Sequence, residues 1–240
     1  MRLYDLRLGQ VTDVEPARRR LLRLQVAAPA PGHRADLGDL RTFVVGDLIR
    51  RNAERRKLVV QAGQDAGGAE DGAILGQRPP EESHLDGLID VQVGGPDPGD
   101  RARHWTAAGP VRFRGRDEPV YLAHLTGRDL DPLALRLAFF EQPYRADLDL
   151  DWPALADADQ ALRAWRRLVA EWATHPSRPL SAPHAAEVTG AFDNDLFAPG
   201  ALVTLRALAA SAQVPPGAKF ETFAHLDQLL GLDLVREVGR

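Results

Sequence analysis

The sequence predicts an α/β domain followed by an all-α helical bundle. Two observations carry that prediction. Between residues 21 and 114, short apolar runs ending at glycine or proline surround one long amphipathic stretch, a strand–helix–strand pattern. After Asp129 every apolar pattern has a helical period, and no strand is expected. The 240 residues are therefore divided into 1–128 and 129–240.

Leu21–Ala27 (LLRLQVA) reads as a buried strand, and the APAPGHR that follows as a breaker loop. Leu40–Arg56 places Leu40, Phe43, Val44, Asp47, Leu48 and Arg51 at mainly helical spacing, with Asp39 as its expected N-cap. Leu58–Val60 is a short strand. Gln64–Pro80, rich in Gly, Asp, Gln and Pro, is expected to be the least ordered stretch. Leu88–Val93 is a strand that stops at Gly94-Gly95, and Pro110–Arg114 a short strand or hairpin arm. In the second half, helices are expected at Pro132–Phe140, Trp152–Trp172, Pro183–Leu196, Ala201–Ala212 and Phe220–Leu230. Asp131 before Pro132 is a cap-and-proline start, repeated at Asp151 with Trp152-Pro153; Gly231 is a C-terminal stop.

Composition narrows the function classes. The net charge of −4 argues against a protein that coats duplex DNA. Basic clusters at Arg18–Arg20, Arg50-Arg51 and Arg55–Lys57 read as solvated helix faces and strand entries. Cysteine is absent, so disulfides, thiolate metal sites and thiol nucleophiles are excluded. The opening residues MRLYDLRLGQ carry no apolar signal core, and no run reaches membrane-spanning length; a cytoplasmic protein without a membrane partner is expected. His33, His104 and His124 have no ligand spacing with one another and read as surface or loop residues. Trp152, Trp165, Trp172, Phe192, Phe197, Phe220 and Phe223 read as packing residues, and Arg163, Arg166 and Arg167 as a solvated helix face.

The most telling segment is Ala35–Arg51, ADLGDLRTFVVGDLIRR, a turn running into an amphipathic helix. Such a turn delivers a phosphate to a helix N-terminus. Here it carries Asp36 and Asp39, whose carboxylates would repel phosphate oxygens, increasingly so as water is excluded.

Four blocks, in order, resemble cysteinyl-tRNA synthetase, a class I aminoacyl-tRNA synthetase, and its relative the mycothiol-pathway cysteine ligase. Met1–Asp5 with Leu24–Pro29 is similar to the family's opening strand, ending where the family has Cys-Gly-Pro. Gly38–Ile49 (GDLRTFVVGDLI) resembles the helix after its first signature. Asp90–Asp97 (DVQVGGPD) resembles Asp-Ile-His-Gly-Gly-Gly-Ile-Asp. His104–Gly115, Leu125–Leu137, Phe192–Leu202 (FDNDLFAPGAL) and Leu229–Leu234 (LLGLDL) resemble the approach to the second signature and then the helical domain. The resemblance implies a Rossmann-like parallel-sheet nucleotide-binding domain ahead of the bundle.

It also shows what has changed. The family's His-Ile-Gly-His falls on Asp36-Leu37-Gly38-Asp39, keeping the glycine that lets backbone approach a nucleotide and losing both imidazole donors. Its Lys-Met-Ser-Lys-Ser falls on Asp117-Glu118-Pro119-Val120-Tyr121. Those lysines stabilise charge on departing pyrophosphate, and loss of one such donor costs about 3–4 kcal/mol. The first zinc-binding cysteine falls on Ala27, so no zinc is expected. No catalytic residue is intact on this reading. Gly38, Arg41, Gly94, Gly95 and Asp97 match positions on the nucleotide side, and Asp65 matches a further family position. ATP or an adenosine-type nucleotide with Mg²⁺ is the cofactor to look for.

Two functions follow as expectations. The first is a paralogue unable to form an aminoacyl-adenylate, kept for binding or regulation, with a tRNA acceptor stem or another protein of the same pathway as partner. The second is an ATP-dependent amino-acid-activating ligase of altered mechanism, in which Asp36, Asp39, Asp117 and Glu118 hold Mg²⁺.

Overall fold

The architecture comes from a computed structural model that describes residues 1–240 except Pro31, Ala66 and Asp117, and except the side chain of Ala69. Its centre is a four-stranded parallel sheet in the order β4-β3-β5-β6, built from β3 (Leu21–Val26), β4 (Val59–Gln64), β5 (Ile89–Val93) and β6 (Ala102–Thr106). The expected strand at Leu21–Ala27 therefore forms. That at Leu58–Val60 runs on to Gln64, because Gln61, Gly63 and Gln64 pair with β3 despite their polarity. The chain reaches β4 on one side of β3 and then returns to place β5 on the other. The crevice at the C-terminal ends of β3 and β5 is thus a topological switch point, where open α/β sheets receive ligands.

Helix α1 (Leu37–Arg55) lies across this sheet and buries Leu40, Phe43, Val44, Leu48 and Ile49. It starts three residues earlier than the sequence suggests, and its N-cap is Asp36, not Asp39. Gly46 lets it sit close: a Cβ there would lie 2.5 Å from Cγ2 of Val26 on β3. The Gln64–Pro80 stretch holds a short helix, α2 (Ala69–Ile74).

Two further pairs flank the sheet. β1 (Arg2–Asp5) and β2 (Gln10–Asp13) form an antiparallel hairpin, so the Met1–Asp5 segment, expected with Leu24–Pro29 in the opening strand, lies outside the parallel sheet. β7 (Val111–Phe113) is no hairpin arm; it pairs in parallel with β8 (Leu148–Leu150), a strand in the half expected to be wholly helical. Gly109 permits this join, since a Cβ would fall 2.4 Å from the Ala146 carbonyl oxygen.

The remaining helices are α3 (Leu122–Thr126), α4 (Pro132–Phe140), α5 (Trp152–Trp172), α6 (Ala182–Asp193), α7 (Ala198–Ala210) and α8 (Pro216–Leu230). Asp131 and Asp151 cap α4 and α5 through backbone N–H groups, and Gly231 closes α8 in a left-handed conformation. Trp165 and Trp172 meet Phe223 edge-on at 6.0 and 5.3 Å. Phe197, expected in the packing, is exposed. Arg166, expected in water, is buried: it donates to Asp131 and to the carbonyls of Leu232 and Asp233. The helices join the sheet through one continuous apolar core and through an ion pair of Asp47 on α1 with the fully buried Arg136 on α4, 2.6 Å apart. Among the described residues, no helix is long and apolar enough to cross a membrane.

Candidate functional site

The two signature-like segments meet. Asp36 and Tyr121 form an isolated antiparallel bridge, which sets the start of α1 beside the Glu118–Tyr121 strap. An open cleft of about 990 Å³ lies between this junction and the β7–β8 pair. Asp36, Gly38 and Glu118 line it, as do Arg112, Arg114, Arg116 and Asp149. Asp117 falls outside the described residues. Arg112 on β7, and Arg114 and Arg116 in the turn that follows it, bring three guanidinium groups to this lining. They meet three carboxylates in the same lining, and Arg112 and Arg114 already pair with Asp149 at 3.3 and 3.8 Å. Among the described residues, charge in this cleft is nearly balanced, which makes it a weak attractor for a polyphosphate.

The helix N-terminus, the natural seat for an anion, is filled by the chain's own carboxylates. The Asp36 carboxylate accepts from the backbone N–H groups of Gly38 and Asp39 at 2.8 and 3.0 Å. The Asp39 carboxylate folds back to accept from the Asp36 N–H at 3.0 Å. This reciprocal capping box uses donors that would otherwise face a phosphate. Burial, reinforced by the neighbouring Asp36 carboxylate, pushes the Asp39 carboxyl above the ordinary carboxylate range. Asp39 does not line the cleft.

Arg41, expected beside a nucleotide, is turned inward. It is 1 % exposed and donates to the carbonyls of Gly109, Ala146 and Pro143. It braces the β7–β8 join from α1, and burial lowers its pKa to about 10. Gly94 and Gly95 end β5 with φ of +72° and +71°. A Cβ on Gly94 would sit 3.0 Å from Cγ2 of Thr42 and 3.4 Å from the Ala27 methyl. The glycines therefore permit close approach of strand ends and helix, whatever else they admit. Asp97 accepts from the Gly99 N–H at 2.9 Å, closing its own turn. Asp65 accepts from the Gln25 amide and contacts His84 Nδ1, both at 3.0 Å.

The donor set at the C-terminal end of β3 does not suit zinc. Ala27 offers a methyl, and among the described residues no three His, Cys, Asp or Glu side chains gather as ligands. His104 is no surface residue: it is buried on β6, beside Asp5, Thr12 and the Tyr4 carbonyl, and burial lowers its pKa. His124 contacts the Tyr121 N–H at 3.0 Å as part of a capping box on α3. The arginine cluster of the cleft was missed from sequence, although its every-second-residue spacing was visible in VRFRGR.

No family model matches the chain. Part of it is similar to curated ligases. The L-cysteine:1D-myo-inositol 2-amino-2-deoxy-alpha-D-glucopyranoside ligase of Thermomonospora curvata is 36% identical over 120 residues, 48% of this chain and 28% of the relative. The enzyme of the same name from Salinispora tropica is 32% identical over 143 residues, 55% of this chain and 34% of the relative. That of Thermobispora bispora is 33% identical over 139 residues, 55% of this chain and 33% of the relative. These matches span about a third of the length of each relative.

Proposed function

We propose that this chain is a non-catalytic relative of the cysteine ligases and cysteinyl-tRNA synthetases, unable to form an aminoacyl-adenylate and kept for binding or regulation. The observation that carries the reading is the self-capped start of α1. Asp36 and Asp39 consume the N–H groups that would hold a triphosphate, and they add negative charge where its oxygens would lie. The inward turn of Arg41 and the even charge of the cleft lend further support. A tRNA acceptor stem or another protein of the same pathway is the partner this reading favours, with the exposed Arg112, Arg114 and Arg116 as its contact.

The second reading, a ligase of altered mechanism, draws on the similarity to curated ligases and on Asp36 and Glu118 sharing one cleft. There the two carboxylates hold Mg²⁺ against a nucleotide. One experiment separates the two. ATP titrated with Mg²⁺ is expected to bind the natural chain more weakly than the Asp36→Asn/Asp39→Asn variant, by about tenfold, a factor worth about 1.4 kcal/mol. Tighter binding by the natural chain than by the variant would favour the ligase and overturn our reading.

A further inference from the structure

The other end of α1 carries a second cavity, about 28 Å away along a helix of 19 residues. It has a volume of about 290 Å³ and lies between the last turns of α1, the segment after α2, and helices α6 and α8. Arg51, Arg55, Lys57 and Arg78 line it with His225, against the single carboxylate of Glu54. Unlike the cleft, this pocket is strongly unbalanced in charge.

The surrounding ion pairs do not remove the excess. Arg51 is committed to Asp47 and to the carbonyls of Gln228 and Gly76. Glu54 is shared by Arg50 and Arg78, and Asp193 by Arg55 and Arg56. Arg50 also reaches Glu81. With Arg136 and Lys57, seven cations thus face five carboxylates, those of Asp47, Glu54, Glu81, Asp193 and, acting on Arg51 and Arg136, Asp227. Among the described residues, Lys57 and His225 make no ion pair or side-chain hydrogen bond in the structure. Lys57 stands in a left-handed conformation, φ 65°, in the turn beyond α1. Burial, with repulsion from Arg51 and Arg50, lowers the Arg78 pKa although Asp47 opposes the shift and Glu54 pairs with the side chain.

We propose that this pocket binds a phosphate ester of a small molecule. The guanidinium groups of Arg55 and Arg78, the ammonium of Lys57 and the imidazole of His225 offer donors from several sides, and their summed charge favours a multiply charged anion over a singly charged carboxylate. Its volume is near the lower edge of small-molecule pockets, roughly 300–1,000 Å³, and exceeds what inorganic phosphate needs. The assignment does not depend on the reading of the cleft.

Isothermal titration with ribose 5-phosphate, AMP and inorganic phosphate tests it on the full chain. Both esters are expected to bind with sub-millimolar affinity, more tightly than inorganic phosphate, and more weakly as salt rises. Lys57→Glu, at an exposed turn, is expected to weaken ester binding about tenfold or more without moving the melting temperature of the free protein. His225→Glu is a second variant with the same expected effect, should Lys57→Glu melt early. Arg167→Gln, on the exposed face of α5, is expected to leave ester binding unchanged. No ester binding in the millimolar range would overturn the proposal. So would loss of binding in Arg167→Gln but not in Lys57→Glu, or inorganic phosphate binding as tightly as ribose 5-phosphate.

Discussion

Asp47 shows how one buried charge is made tolerable. Its side chain is fully buried, yet it accepts from Arg51 and Arg136, each at 2.6 Å, and its other oxygen receives the Arg78 N–H. Burial pushes this carboxyl up, but the two guanidinium groups outweigh that push and hold it below the ordinary carboxylate range. Removing it strands Arg136, whose other bonds go only to the Leu75 and Leu230 carbonyls. Asp47→Ala is therefore expected to lose about 3–5 kcal/mol in urea unfolding, the penalty of an uncompensated buried charge. A loss near 1 kcal/mol would mean that the pair adds little. The same geometry fixes a pH dependence. Asp131 and Asp193 are also held low, because Arg166 and Arg55 overcome the effect of burial. A lowered folded pKa gives stability that is present above the unfolded value and lost as pH falls through the folded one. Asp39 and Asp227, raised mainly by burial, act with the opposite sign just above the ordinary value. Melting temperature is thus expected to fall most steeply below about pH 4, and Asp47→Asn to flatten that fall. Asp47 was visible in the sequence as an acid inside an apolar stripe. Its partner, 89 positions away, was not.

At the scale of elements, the helices were the most legible. The bounds of α4 and α5 follow from an aspartate next to a proline or one residue before it, since cap and proline act within one turn. β8 was hidden: three residues, Leu148–Leu150, carry no period of their own and become a strand only against β7. The start of α1 was misplaced because Asp36 and Asp39 both suit a cap, and their reciprocal bonding decides the choice. Packing of α1 on β3 depends on Gly46, where an added methyl would meet Val26. Gly46→Ala is expected to cost about 1–3 kcal/mol by overpacking, seen as a lower urea midpoint. An unchanged midpoint would contradict so close an approach.

For the whole molecule, α1 is the axis. Its N-terminal end closes on itself beside a charge-balanced cleft, and its C-terminal end opens on a basic pocket. The parallel sheet was expected only through the family resemblance, whereas the α/β pattern could be read from the succession of strands, helix and glycine stops. The basic pocket could not, because Arg50-Arg51 and Arg55–Lys57 look like any solvated helix end until Arg78 and His225 are brought against them. Such gathering of distant residues is what local pattern leaves out. On the function proposed above, the scaffold of an adenylate-forming ligase persists here without the groups that stabilise departing pyrophosphate. The most direct test is amino-acid-dependent exchange of labelled pyrophosphate into ATP, with cysteine first and then the other standard amino acids. The account predicts no exchange above background with any of them; robust exchange with even one would contradict it.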